Sequence, residues 1–436
     1  MADRGVTHRR VLHLAIPIVL SNATVPILGV VDTGVVGQMG DPAAIGAVGI
    51  GAIILTAFYW IFGFLRMGTA GLTAQAAGAE DGAEVAALLS RSLLIGFAAG
   101  LVMILGQVPL FWLAFQVSPA SGEVETLARD YMAIRVWSAP ATIGLYGIIG
   151  WLIAQERTRG VFAIQVLMNG TNIVLDLWFV LGLGWGVAGV GWATFLAEWS
   201  GLLLGLWLCR DAFASPAWRD MPRVFDAARL RNMAVVNSDI LVRSVLLQAI
   251  FVSFLFFGAD FGDVSLAANQ ILLQFLHVTA YALDGFAAAA ESLVGQALGA
   301  RNAARLRRGA LLTSLWGAGI CATLALCFAL AGGTIIDIMT ISPEVQQAAR
   351  SYLPYMVAAP IVGVAAWMFD GIFIGATRTA DMRNMMILSA IAYFAAVIPL
   401  MAVYGNHGLW LGLLFSFVVR GVTLGWKYPG LERSAA

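Results

Sequence analysis

Long apolar stretches dominate the sequence, and short breaks rich in charged residues, glycine or proline separate them. Twelve of these stretches are each long enough to cross the ~30 Å hydrocarbon core of a bilayer as a helix. They cover residues 9–37, 43–77, 85–115, 125–154, 160–182, 187–210, 231–258, 264–298, 307–336, 344–375, 382–404 and 408–427. The pattern predicts an all-α polytopic membrane protein with twelve transmembrane helices.

Charged side chains are scarce, which supports an integral membrane protein. Of the 436 residues, 60% are hydrophobic and 11% are charged, whereas soluble domains carry about 25% charged residues. The 25 basic and 25 acidic residues balance, so no basic footprint for nucleic acid is present. The partners that this composition favours are the lipid bilayer and small organic molecules, and we expect a monomer.

Basic residues occur in alternate connections and predict the orientation. Arginines cluster at 157–159, 210–231, 301–308 and 378–383, whereas the alternate connections contain no Lys or Arg; these are "MGDP", "SPASGEVE", "LGLGWG", "GADFGD", "TISPE" and "YGNHG". Because excess Lys and Arg mark the cytoplasmic side, both termini are predicted to be cytoplasmic, in the plasma membrane or bacterial inner membrane. One connection, "GAEDGAE" at 78–84, is acidic and departs from this rule.

An internal repeat divides the chain into halves. "GWLIAQERTRG" at 150–160 resembles "GIFIGATRTAD" at 371–381, and "TAQAAGA" at 73–79 resembles "VGQALGA" at 294–300. In both matches the second copy follows the first by the same number of residues, which is the separation of Arg157 and Arg378. This separation is here called the repeat offset. An even number of helices precedes the second copy, so the repeats are parallel, an architecture typical of transporters. The predicted domains are an N-lobe with helices 1–6 and the ion-coupling site over 1–212, a cytoplasmic linker over 213–230, and a C-lobe with helices 7–12 over 231–436.

One carboxylate interrupts the first apolar stretch. Asp32 is the only charged side chain between Val11 and Gly40. Because a charge in the hydrocarbon region is costly, an intramembrane carboxylate indicates a functional site. The alternative is that Asp32 caps a neighbouring backbone or hydroxyl group.

A second carboxylate, Asp176, lies in the fifth stretch. Asn172 precedes it by one turn on the same helical face, and Asn169 extends this polar stripe. At the repeat offset the position of Asp176 corresponds to a valine and that of Asp32 to a serine. Both carboxylates are therefore specific to the first half, which favours a specialised site over a structural device common to both halves.

Two coupling ions suit such a site, and neither needs a cofactor. A buried carboxyl group is protonated more readily than one in water, so it can exchange H⁺ near neutral pH. When ionised and assisted by asparagine oxygens, it can instead hold Na⁺, a hard cation that takes oxygen ligands. Pro26 has no backbone N–H to donate to the carbonyl of Asn22, which predicts a bend close to Asp32.

Further charged residues in the second half are candidates for cavity lining or coupling support. Asp239 and Arg243 are one turn apart in helix seven, and this spacing favours a local ion pair. The remaining acidic residues either line an aqueous cavity or pair with Arg66, Arg135 or Arg420; they are Asp284, Glu291 and Asp370.

Several motifs resemble the multidrug and toxic compound extrusion (MATE) family, specifically its DinF (DNA-damage-inducible protein F) branch. They are "VPILGVVDTGVVGQMG", "NIVLDLWFVLGLGWGVAGVGWAT", "NSDILVRSVLLQ", "TAYALDGFAAAAESLVGQALGA" and "DGIFIGATRTADMRN". The resemblance implies two six-helix lobes and cation-coupled efflux of cationic or amphipathic compounds. It also implies a proton or Na⁺ site at Asp32, Asn172, Asp176 and Thr194. A helix-seven acidic site known from another branch is not transferred, because "NSDILVR" is of the DinF type.

The leading hypothesis is therefore a secondary multidrug antiporter that exports organic compounds in exchange for H⁺ or Na⁺ by alternating access. A flippase for a lipid-linked substrate is the alternative, and it would favour a cationic cavity. A membrane enzyme would need His, Cys or Asp clustered near an interface, whereas the four histidines are dispersed. ATP-driven transport would need a glycine-rich phosphate loop with Lys, and the sequence contains none.

Overall fold

A computed structural model describes residues 5–117 and 121–435. Helices account for nearly all of these residues, and the two described ranges contain no β-strand. In chain order the α-helices are α1 (His8–Gly37), α2 (Pro42–Ile61), α3 (Phe64–Gly78), α4 (Gly82–Leu105), α5 (Gln107–Val117), α6 (Gly122–Arg135), α7 (Ala139–Ala154), α8 (Thr158–Asp176), α9 (Gly186–Leu208), α10 (Arg210–Ala214), α11 (Met221–Val224), α12 (Ala227–Ala259), α13 (Asp263–Gly299), α14 (Ala303–Met339), α15 (Pro343–Gly375), α16 (Thr379–Tyr404) and α17 (Asn406–Arg433). Shorter turns of other helical geometry are the 3₁₀ segments Val136–Ser138 and Pro216–Arg219 and the π-helical segment Leu177–Gly182.

Eleven helical stretches in the described ranges are long and apolar enough to cross a membrane. Four of them combine consecutive elements: α2 with α3, α6 with α7, α8 with the π-helical segment, and α11 with α12. The 30-residue α1 coincides with the first apolar stretch and exceeds the ~20 residues that a transmembrane helix needs, which would bring the number of spans to the predicted twelve. The predicted all-α polytopic fold is therefore confirmed.

The internal repeat is present in the backbone geometry of the turns. In the described part of the chain, the non-glycine residues with positive φ are Glu80 (58°), Glu156 (59°), Arg301 (51°) and Thr377 (49°). Arg301 follows Glu80, and Thr377 follows Glu156, by the repeat offset. A left-handed backbone is uncommon for residues with side chains. Its recurrence at matched positions indicates that both halves contain the same two tight turns.

Two glycines at matched positions allow close helix packing. A Cβ atom on Gly150 would lie 2.2 Å from the carbonyl oxygen of Arg66, and one on Gly371 would lie 2.5 Å from that of Ala287. Both residues of the second pair follow those of the first by the repeat offset. Small residues let membrane helices approach closely, so these glycines fix α7 against α3 and α15 against α13 in the same way.

The chain divides into two compact units. The first, here called the N-unit, comprises Leu20–Ala76 and Asp81–Arg231. The second, the C-unit, comprises Met1–Val19, Ala77–Glu80 and Asn232–Ala436. These units group the beginning of α1 with the second half of the chain and the predicted linker with the first half. The predicted lobe boundaries, at 212 and 231, remain predictions.

Residues 210–231 are held against α4 within the N-unit. Arg91 of α4 donates a hydrogen bond from Nε to the carbonyl oxygen of Val224 at 2.9 Å and pairs with Glu84 at 2.6 Å. Glu84 also pairs with Arg229. The acidic connection that departs from the basic pattern therefore supplies a carboxylate that binds the arginine-rich segment.

A satisfied polar network stabilises the core of the C-unit. Asn269 and Asn406 exchange amide hydrogen bonds of 2.8 and 2.9 Å, and the fully buried Trp410 donates to Asn269 Oδ1 at 2.9 Å. Buried polar groups that have found partners in this way rigidify a core. We assign this network to structure.

Candidate functional site

Asp32 of α1 and Asp176 of α8 meet in the N-unit. Their carboxyl groups lie close enough to interact with each other. Asp176 is fully buried and Asp32 is partly buried. Ionised carboxylates only accept hydrogen bonds, so a hydrogen bond between the two groups would require a proton on one of them. Two ionised carboxylates in such proximity would repel each other.

Asp176 is the last residue of α8 before the helix widens. In the π-helical segment that follows, the N–H of Leu183 binds the carbonyl oxygen of Trp178, five residues earlier, at 2.9 Å. π-Helical turns are rare and occur frequently at functional sites. The carboxyl group thus lies where the helical geometry changes, a feature that the apolar pattern does not indicate.

Asn172 lies one turn before Asp176 and directs its amide toward α9. Its Nδ2 donates to Thr194 Oγ1 at 3.1 Å, and Thr194 Oγ1 donates to the carbonyl oxygen of Val190 at 3.0 Å. These bonds fix the orientation of the amide. The structure therefore brings Asp32, Asn172, Asp176 and Thr194 into one group that involves α1, α8 and α9.

This group contains more acceptor oxygens than donors. Four buried oxygens have no N–H or O–H partner among the described residues: Asp32 Oδ1, Asn172 Oδ1, Asp176 Oδ1 and Asp176 Oδ2. A buried polar atom without a partner costs about 1–3 kcal/mol. A proton on the carboxyl pair, or a cation with oxygen ligands, would satisfy these atoms. The residues therefore fit both H⁺ and Na⁺.

Asn169 links α8 to α1 two turns before Asp176. Its Nδ2 donates to Thr24 Oγ1 at 2.8 Å, and its Oδ1 accepts from Gln165 Nε2 at 2.8 Å. Thr24 in turn donates to the carbonyl oxygen of Ser21 at 2.7 Å. Both the nitrogen and the oxygen of the Asn169 amide thus have hydrogen-bond partners. Asn169 contributes to the site by holding α8 and α1 together.

The predicted bending point of α1 contains Asn22 and Pro26. Asn22 is partly buried and Pro26 is exposed, and α1 continues through both positions from His8 to Gly37. The bend itself remains a prediction.

An ion pair near the carboxyl groups was not predicted from the sequence. Arg135 Nη2 binds Glu198 Oε1 at 2.8 Å, and Arg135 Nη1 donates to Tyr131 Oη at 2.7 Å. The charge of Arg135 acts on both Asp32 and Asp176. The sequence contained one signal for this pair, namely single charges of opposite sign in two separate apolar stretches.

The predicted local pair between Asp239 and Arg243 is wrong. Asp239 accepts a hydrogen bond from Thr379 Oγ1 at 3.0 Å and pairs with Arg383. Arg243 pairs instead with Asp370. Both residues of helix seven are buried, and packing against α15 and α16 supplies each with a partner that single-helix spacing cannot reveal.

Of the two other acidic candidates in the second half, Asp370 has charged partners in the structure, whereas the role of Asp284 is not decided by it. Asp370 lies 3.6 Å from Arg420 in addition to its pair with Arg243, so pairing is the alternative that the structure supports for this residue. Asp284 is partly buried in α13. Its role in a cavity or in coupling remains a prediction.

A helical membrane protein with two parallel repeats, and with a buried carboxyl pair in one of them, has the architecture of a secondary transporter. Comparison with known proteins identifies the particular family. The MatE family model matches residues 17–178 and again residues 240–403. The chain therefore belongs to the MatE family and is a multi-pass membrane transporter.

Relatives support this assignment along the whole chain. DNA damage-inducible protein F of Escherichia coli strain K12 is 39% identical over 439 residues, which cover 97% of this chain and 92% of that protein. A probable multidrug resistance protein NorM from Rhodopseudomonas palustris is 27% identical over 97% of this chain and 92% of its own length. The crystal structure of the Vibrio cholerae MATE transporter VcmN in the bent form has the same fold, with a TM-score of 0.87, 18% identity, and coverage of 98% of this chain and 97% of that one.

Proposed function

We propose that the protein is a secondary multidrug antiporter that exports cationic or amphipathic organic compounds in exchange for H⁺ or Na⁺ by alternating access. Membership of the MatE family and the name of the NorM relative support the substrate class. The coupling role rests on the N-unit site. Asp32, Asn172, Asp176 and Thr194 are the residues that would bind the ion.

The observation that supports this proposal most strongly is the proximity of the Asp32 and Asp176 carboxyl groups, whose buried oxygens have no hydrogen-bond donor among the described residues. With one proton the pair is stable in a low-dielectric environment, because the protonated group donates to the ionised one. Loss of that proton leaves two carboxylates facing each other, a state that requires either a cation or separation of α1 from α8. Ion binding and helix position are thereby linked, as coupled exchange demands.

Na⁺ is the alternative occupant of the same site. Carboxylate, amide and hydroxyl oxygens are suitable ligands for a hard cation. Asn172 provides an oxygen with no hydrogen-bond donor, and Thr194 already orients that amide. Both ions would therefore use the same four residues, and competition between them would be direct.

The orientation follows from the arginine-rich connections. We infer that both termini face the cytoplasm of a bacterial inner membrane, with the segment 210–231 on the same side. The protein would act as a monomer, with small organic molecules and lipid as partners and without a resident cofactor.

Efflux from proteoliposomes tests this proposal. Purified protein would be reconstituted and loaded with a fluorescent organic cation, and pH and Na⁺ gradients would be imposed separately. We expect export to follow one of the two gradients and to stop when that gradient is collapsed by an ionophore. Export that is equally fast without either gradient would contradict antiport.

A further inference from the structure

Three charged residues from three helices form a buried cluster in the C-unit. Arg243 of α12 pairs with Asp370 of α15, and Arg420 Nη2 of α17 lies 3.6 Å from the same Asp370 oxygen. Arg243, Asp370 and Arg420 are 7%, 5% and 2% exposed, respectively. A single carboxylate thus stands between two guanidinium groups that are removed from solvent.

The cluster has a deficit of negative charge. The two arginines and one aspartate of this cluster carry a net charge of +1. The nearby Asp239 is already bound by Arg383 and Thr379. An uncompensated charge in a low-dielectric interior is strongly unfavourable, so a further negative group would stabilise the cluster.

Unused donors indicate where that group would bind. Arg420 Nε and Nη2 and Arg243 Nε are buried and have no hydrogen-bond partner among the described residues, and Asp370 Oδ1 accepts no hydrogen bond from them. The ring of Phe417 lies below the Arg420 guanidinium, with its centroid 5.9 Å from Cζ. The ring covers one face of the guanidinium and leaves the in-plane N–H groups as the means of binding a ligand.

We propose that Arg243 and Arg420 bind a small monovalent anion, of which chloride is the most abundant, beside Asp370. One such anion would bring the cluster to neutrality and would accept hydrogen bonds from the unused N–H groups. The site is independent of the carboxyl pair in the N-unit. Its three residues have no charged counterparts in the first half, where the repeat offset places Asn22, Ile149 and Trp199 at the matching positions.

Bromide provides a direct test, because it resembles chloride and scatters anomalously. Crystals of the full chain grown in bromide should show an anomalous peak within hydrogen-bonding distance of Arg420 Nε. Ordered density for both arginines without a peak between them would overturn the proposal.

A chloride titration tests the same site in solution. Chloride would replace gluconate at constant ionic strength, and the thermal unfolding midpoint of the purified protein would be followed. A ligand that binds only the folded state raises this midpoint in a saturable manner. We expect a saturable rise of about 2 °C or more in the wild type, no saturable rise in Arg420→Gln, and a wild-type response in the control Arg350→Gln, which alters an exposed pair with Asp337.

A second variant has the opposite expectation, because it tests the site by a gain in binding; it is measured on the fraction of the protein that folds. Asp370→Asn raises the cluster from +1 to +2, so half-saturation should require about tenfold less chloride than in the wild type. Unchanged or weaker chloride binding by folded Asp370→Asn would contradict the proposed site. A midpoint that rises without saturation and equally in all variants would identify a general salt effect and would also contradict it.

Discussion

Ser253 and Tyr393 meet in the C-unit at the positions that Asp32 and Asn172 occupy in the first half. Both follow their counterparts by the repeat offset, and their hydroxyl oxygens are 3.5 Å apart. Val397, the counterpart of Asp176, is fully buried. The repeat thus preserves the approach of two helices, α12 and α16, but provides no carboxyl pair there.

The orientation can be tested with single cysteines in a background without Cys209, Cys321 and Cys327. Ala214→Cys lies in the arginine-rich segment, and Ile341→Cys lies in a connection without arginine and is 96% exposed. We expect a membrane-impermeant maleimide applied to intact cells to label Ile341→Cys and not Ala214→Cys, because excess arginine marks the cytoplasmic side. The reverse labelling pattern would overturn the predicted topology.

The binding of residues 210–231 to α4 depends on Glu84. Glu84→Gln removes the ionic partner of Arg91 and Arg229, so the segment should detach more often. We expect trypsin to cleave it about tenfold faster in detergent-solubilised protein, which corresponds to a loss of about 1.4 kcal/mol in the local opening free energy. The control Asp337→Asn, in an exposed ion pair, should be cleaved at the wild-type rate. Equal cleavage of both variants would exclude this role of Glu84.

The helices were predictable because hydrophobic runs of membrane length are an unambiguous signal. The predicted stretches 9–37 and 408–427 lie within α1 and α17. The carboxylates Asp32 and Asp176 were identifiable for a related reason, since each is an isolated charge in an apolar run. Spacing along the chain did not predict their proximity, because the two residues lie in helices that are far apart in sequence; only the family resemblance placed them in one site.

Asp370 should matter for stability more than for coupling. Asp370→Asn leaves Arg243 and Arg420 buried without a carboxylate, and breaking such a pair costs about 3 kcal/mol. We expect a lower unfolding midpoint and less folded protein, with ion-coupled efflux per folded molecule close to wild type. A well-folded Asp370→Asn protein that has lost only its ion coupling would show that the N-unit assignment is incomplete.

Thr194 should act through the amide of Asn172. Thr194→Val removes the acceptor that orients this amide, a loss equivalent to about one hydrogen bond, so the apparent affinity for the coupling ion should fall about tenfold. Thr194→Ser retains the hydroxyl and should stay within about twofold of wild type. The measurement is the dependence of efflux on ion concentration. Equal losses in Thr194→Ser and Thr194→Val would assign the effect to packing.

Contacts between helices explain why spacing along the chain predicted the wrong ion pair. Asp239 and Arg243 have the spacing of a local ion pair, yet each binds a residue from another helix. Charged residues in a membrane interior pair with whichever partner the fold presents. The π-helical turn after Asp176 was equally hidden, because it depends on the backbone path between α8 and α9.

Asp32 provides the most direct test of the central claim that the carboxyl pair couples ion and substrate movement. Asp32→Asn resembles the protonated acid in shape but cannot titrate, whereas Asp32→Glu retains a titratable group. Both variants should insert in the membrane normally. The control is Asp337→Asn, which should behave as wild type.

The decisive measurement is H⁺ or Na⁺ movement on addition of substrate to proteoliposomes that contain equal amounts of folded protein. We predict coupled ion movement in the wild type, partial movement in Asp32→Glu and only background movement in Asp32→Asn. Substrate-coupled ion movement of wild-type size in Asp32→Asn would contradict the account.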